Sequence, residues 1–68
     1  MTNTALLEEY IKKSGYRKGY LSDVLGLSRY GFLLKCNNKA EFRASEIEKL
    51  CNVLKIDTEA RMNIFFAK

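Results

Sequence analysis

The 68 residues include no histidine and no proline, and only two cysteines. Missing histidine removes the usual general base near neutral pH, the Cys/His zinc sites and the Ser-His or Cys-His nucleophile pairs. Neither a catalytic pair nor a phosphate-binding glycine motif is present, so no enzyme and no cofactor is expected. The two cysteines, Cys36 and Cys51, form no CxxC pair and have no histidine to join them at a metal. They are expected as small, free core residues, since each falls on the apolar side of a predicted helix. Long apolar runs are also lacking. Stretches such as residues 24 to 28 and 30 to 34 fall far short of the roughly 20 residues a membrane span needs. The first ten residues carry Glu8 and Glu9 and show no signal-peptide pattern, so the chain is expected to stay in the cytosol.

What is present is one small module. Splitting a chain of this length would leave each half without enough surface to bury, so residues 1–68 are read as a single domain. The net charge of +4 is modest, but it is unevenly spread. Between Lys12 and Arg43 eight basic side chains face only Asp23 and Glu41, a balance of +6, and the remainder of the chain carries −2. The middle of the chain is the candidate anion-binding part.

Helical spacing dominates the pattern. Leu6, Leu7, Tyr10 and Ile11 mark a first helix, with Thr2, Asn3 and Thr4 available to cap it and Ser14-Gly15 to stop it. Tyr16, Tyr20 and Val24, with Leu21 and Leu25, form i, i+4 rows of a short second helix that ends at Gly26. Ser28 is a good N-cap for a third, with Phe32, Leu33 and Cys36 inside, closing at Asn37-Asn38. A polar loop follows, anchored by Phe42. Ser45-x-x-Glu48 offers a capping box for a fourth helix whose stripe is Ile47, Leu50, Cys51 and Leu54. Asp57 or Thr58 caps a fifth, with Met62, Phe65 and Phe66 on its apolar side and Ile64 nearby. No strand alternation, repeat or linker is seen, so the expected fold is all-α, a compact bundle of about five short helices.

Two short helices joined by a tight, glycine-containing turn are the plan of the DNA-binding helix-turn-helix, here over about residues 17–37. Leu21, Leu25 and Leu27 would point inward, Ser22 is small enough for close approach, Gly26 makes the turn and Phe32 anchors the second helix. With Lys35-Cys36-Asn37, Glu41-Phe42 and Ser45-Glu46-Ile47 following, the chain resembles the XRE or Cro/C1-type helix-turn-helix family. More narrowly it resembles the small phage Cro-like repressors of Gram-positive hosts. The resemblance runs from Leu6 to Phe66 and is most specific over residues 21 to 44.

The resemblance implies a lambda repressor-like fold and a transcriptional regulator that reads operator DNA in the major groove with the helix 28–37. It assigns base contacts to Arg29, Tyr30 and Leu34. An arginine there can fork onto guanine O6 and N7, and Leu34 could meet a thymine methyl. Phosphate contacts would come from Arg17, Lys18, Ser28, Lys35, Asn38, Lys39 and Arg43, which set affinity and not sequence. One module reads only a few base pairs, so a homodimer on double-stranded operator DNA is expected, in the nucleoid of a bacterial host cell. Ile64, Phe65 and Phe66 are candidates for its contact. The alternative is an antirepressor that binds a partner phage repressor through the same surface, with Leu33 and Leu34 as apolar anchors. Gly31 departs from a good helix former, at a cost of about 1 kcal/mol relative to alanine.

Overall fold

A computed structural model describes residues 1–66. Five helices follow one another: α1 (Thr4–Ser14), α2 (Lys18–Leu25), α3 (Arg29–Cys36), α4 (Ala44–Leu54) and α5 (Thr58–Phe65). No strand occurs among the described residues, so the fold is all-α. Helix ends follow local chemistry. The side chains of Asn3, Ser28 and Asp57 accept N–H groups from the first turns of α1, α3 and α5. Gly15 and Gly26 close α1 and α2 at φ of 77° and 71°, where a Cβ would be strained.

The core is drawn from every helix. Leu7, Leu21, Phe32, Leu50 and Ile64 are fully excluded from solvent, with Ile11, Leu25, Cys36, Ile47, Cys51, Leu54 and Phe65 around them. Helix α2 packs on α3 and α4, and α1 packs on α4 and α5. The stripe expected on α4 is buried as a unit. Both cysteines are free and buried, as expected. Phe42 anchors its loop as expected, edge-on to Phe32 at 6.2 Å and to Phe65 at 5.5 Å between ring centroids.

Three details differ from the sequence expectation. Tyr16 and Tyr20, read as part of the apolar row of the second helix, lie outside; they are 44% and 49% exposed and stack on each other. The helix itself starts at Lys18, with Arg17 at its N-cap. The expected box at Ser45 and Glu48 is replaced by an earlier start at Ala44, where Glu46 returns to accept the Arg43 N–H at 2.8 Å. Arginine carries no acceptor, so only this half of a capping box forms. On α5, Ile64 and Phe65 are the inward residues, while Met62 and Phe66 are more than half exposed.

Contacts distant in sequence fasten α3. Lys35 Nζ lies 2.6 Å from Glu46 Oε1, with side chains only 14% and 9% exposed, tying α3 to the first turn of α4. Beyond its last turn, Asn38 adopts φ of 62° and grips the N-terminal segment at two points. Its Oδ1 accepts the Thr2 N–H at 2.8 Å and its Nδ2 donates to the Thr2 carbonyl at 2.6 Å. Thr4 adds a hydroxyl bond to the Cys36 carbonyl at 2.7 Å. Burial alone would raise the Glu46 carboxyl, but the Arg43 N–H, the bond from Lys35 and the positive charge of both residues outweigh it and hold it below the usual 4.5.

Truncation of Leu50 to alanine should cost about 2–5 kcal/mol in chemical denaturation, whereas Phe66→Ser should leave stability within about 0.5 kcal/mol. The lowered Glu46 value makes its contribution present above the unfolded-state pKa and lost as pH falls through the folded value. Replacing Glu46 by Gln should therefore destabilise at pH 7 by about 1–3 kcal/mol. Wild type and E46Q should converge in melting temperature as the buffer is taken well below the ordinary carboxylate pKa.

Candidate nucleic-acid interface

Helices α2 and α3 are eight residues each, joined by Gly26, Leu27 and Ser28. Gly26 turns the chain, with its N–H returned to the Asp23 and Ser22 carbonyls, and Leu27 donates to the Ser22 carbonyl at 2.9 Å. Ser22 is 2% exposed and its hydroxyl is satisfied by the Gly19 carbonyl, so the two helices meet without an orphaned polar group. Two eight-residue helices thus pack on each other across a three-residue, glycine-containing turn, and one face of α3 lies outside the core.

At the head of α3 the Ser28 hydroxyl accepts the Gly31 N–H at 3.0 Å, and a Cβ at Gly31 would stand 3.1 Å from that oxygen. Glycine therefore lets the cap sit close, and the local cost in helix propensity has a structural use. Arg29 and Tyr30 occupy the first turn, both exposed, Tyr30 at 72%. A guanidinium in this position is free to swing and to present two parallel donors to a planar acceptor pair. Leu33 and Leu34 are half-buried, and the Leu34 carbonyl takes the Lys39 and Ala40 N–H groups that close the helix. Neither Leu34 nor Leu33, which the sequence placed inside, is among the side chains packed on the core, so both offer an apolar edge to solvent.

The cations expected to reach phosphate divide into two groups. Arg17 at the start of α2, and Lys39 and Arg43 in the connection to α4, are exposed and outside any ion pair among the described residues. Lys35 is a correction: its ammonium is spent on Glu46 at low exposure, and moving it to a phosphate would strand a buried carboxylate. Asn38 is a second correction, because its amide is used on both sides by Thr2. Lys18 is shared with Glu8 at 2.9 Å, a half-exposed pair that costs little to open. Ser28 keeps only its hydroxyl proton for a ligand, since its oxygen caps the helix.

The expected protein contact is corrected too. Ile64 is fully buried and Phe65 is 4% exposed, so both belong to the core, and only Phe66 of that trio remains at the surface. The reason is the tie between chain ends: the Asn3 N–H donates to the Ile64 carbonyl at 2.6 Å and brings the last turn of α5 under α1. Sequence reasoning had no signal for this contact, for the Lys35–Glu46 pair or for the Asn38 clamp, whose partners lie far apart in the chain.

The remaining chemistry is quiet. Burial, with Glu8 adding to it and Lys18 opposing, pushes the Cys36 thiol up to about 11. Burial also raises Cys51, against the opposing pull of Arg61. Both stay neutral near pH 7, which makes them poor nucleophiles. Among the described residues no cluster of acidic and sulfur side chains could hold a metal ion, and no helix is long and apolar enough to cross a membrane. Set against known protein families, curated proteins and solved structures, the chain matches none of them.

Proposed function

We propose that this protein is a sequence-specific DNA-binding regulator of transcription, a repressor of the Cro kind that reads operator DNA with α3. The observation that carries this reading is the exposed first turn of α3, where Arg29 and Tyr30 project from a short helix held rigidly from behind. A recognition helix enters the major groove by its N-terminal residues, and an arginine there discriminates guanine by a bidentate fork. Arg17, Lys39 and Arg43 flank that turn in sequence as cations outside any ion pair among the described residues, suited to the phosphates on either side. Two copies on one operator follow from the few base pairs a single α3 can span. The interior of α5 is used by the core, so Met62 and Phe66 are the apolar residues that α5 and its end leave for such a contact.

The alternative, capture of a partner repressor through the same surface, needs apolar anchors on α3. Leu33 and Leu34 are half-buried, which leaves Tyr30 as the strongest of them, so charge and not apolar area distinguishes this face.

Selection from a random duplex pool should enrich a defined half-site, and affinity for it should fall steeply with salt. Arg29→Ala should lose about 10- to 100-fold on that duplex, equivalent to about 1–3 kcal/mol, and relax the preference at one position. Failure to enrich any sequence, with binding only to a repressor protein supplied alongside, would favour the antirepressor.

A further inference from the structure

A cavity of about 190 Å³ takes its lining, among the described residues, from outside α2 and α3. It arises where irregular backbone meets the end of a helix. The Asn3 N–H donates to the Ile64 carbonyl at 2.6 Å and draws residues 1–3 to the last turn of α5, while the connection from α3 to α4 brings in Glu41 and Phe42. The lining divides by burial. Thr2, Ile47 and Phe65 are buried and Phe42 packs on the core, so the interior is apolar apart from the threonine. Met1, Phe66 and Glu41 are exposed and form the mouth. Glu41 is the only charged side chain of that lining. It stands between Lys39 and Arg43 in sequence, yet among the described residues neither of these, nor the Met1 α-amino group, forms an ion pair with it.

We propose that this cavity is a binding site for a small organic cation, an ammonium group carried on an apolar body about the size of a phenyl ring. Volume sets the body. A dry apolar cavity of about 150 Å³ is enough to take up benzene, and pockets for drug-sized ligands begin at about 300 Å³. The cavity here lies between those sizes. Charge sets the head. An ammonium at the mouth donates to the Glu41 carboxylate, a charge-assisted hydrogen bond, and the aromatic ring of Phe66 attracts the same cation. An anion of equal size is repelled by Glu41, and a neutral one gains only the burial of its ring. The site uses none of the outward residues of α3 and does not rest on the DNA reading. Its occupant nevertheless touches two supports of α3: Phe42, whose ring meets Phe32 at 6.2 Å, and Thr2, whose backbone Asn38 holds on both sides.

The test titrates the full chain, without DNA and at constant ionic strength, with benzylammonium chloride. Benzyl alcohol and sodium benzoate serve as neutral and anionic counterparts with the same ring. Two-dimensional NMR should show saturable shifts for benzylammonium at the residues lining the cavity and at the Asn38 side-chain amide. Its affinity should exceed that of benzyl alcohol at least about threefold, and benzoate should give no saturable shift. Glu41→Gln, at an exposed loop position, should keep the melting temperature, lower benzylammonium affinity by about three- to tenfold and leave benzyl alcohol unchanged. Phe66→Ser should keep the fold and weaken benzylammonium as well. Equal affinity for amine and alcohol, or a preference that survives Glu41→Gln, would overturn the cation site. Absence of saturable shifts, or shifts confined to residues elsewhere, would overturn it too. Binding that appears only in Lys68→Ala would mean that an ammonium of the chain itself fills the mouth, which removes the free ligand. Each of these outcomes leaves the α3 reading to the duplex selection, which tests it separately.

Discussion

Phe32 is the residue on which the exposed face of this protein depends. Helix α3 has eight residues and a glycine at its third position, and isolated helices shorter than roughly 12–15 residues are marginal in water. It persists because the Phe32 ring is fully buried and meets Phe42 edge-on, which in turn meets Phe65 edge-on. Three rings thereby connect α3, the loop after it and α5. Around this anchor the Ser28 cap fixes one end of the helix, Asn38 and Thr4 fix the other, and Lys35 pins it to α4. The outcome is a short helix whose outward side chains are positioned by inward ones.

Fastening α3 consumes charge. Lys35 and Lys18 contribute to the positive balance of the central segment, but both are directed at carboxylates of neighbouring helices. Those that remain outward are Lys12 and Lys13 in the last turn of α1, Arg17 and Arg29 at the starts of α2 and α3, and Lys39 and Arg43 in the connection to α4. Helix ends and loops are where long side chains are least committed to packing, so the outward cations of this segment sit at the end of α1, the start of α2, the head of α3 and the connection to α4.

Legibility in the sequence followed the range of the interactions. Helix α4 was readable because Ile47, Leu50, Cys51 and Leu54 repeat on one face and are buried together. The cap at Ser28 and the stops at Gly15 and Gly26 were readable because each is satisfied within a few residues of itself, while the caps of α1 and α5 were left among Thr2, Asn3 and Thr4 and between Asp57 and Thr58, of which Asn3 and Asp57 take the role. The start of α4 was misplaced because two glutamates compete for the capping role, and Glu46 wins through Lys35, eleven positions back. The inner face of α5 was misjudged because Met62, Ile64, Phe65 and Phe66 are too crowded to show a period. The exposed ring stack was misread because Tyr16 and Tyr20 sit at helical spacing whether they face in or out.

The sequence by itself determined five helices, their glycine stops, the core stripe of α4 and the arginine and tyrosine at the head of α3, because these follow from neighbours in the chain. Tertiary structure alone decided which cations stay outward and which residues of α5 face inward, and it turned the tyrosine pair to the surface. Those choices are made by partners up to 61 residues away, Asn3 with Ile64 among them, and no local pattern encodes a contact whose two halves are that far apart.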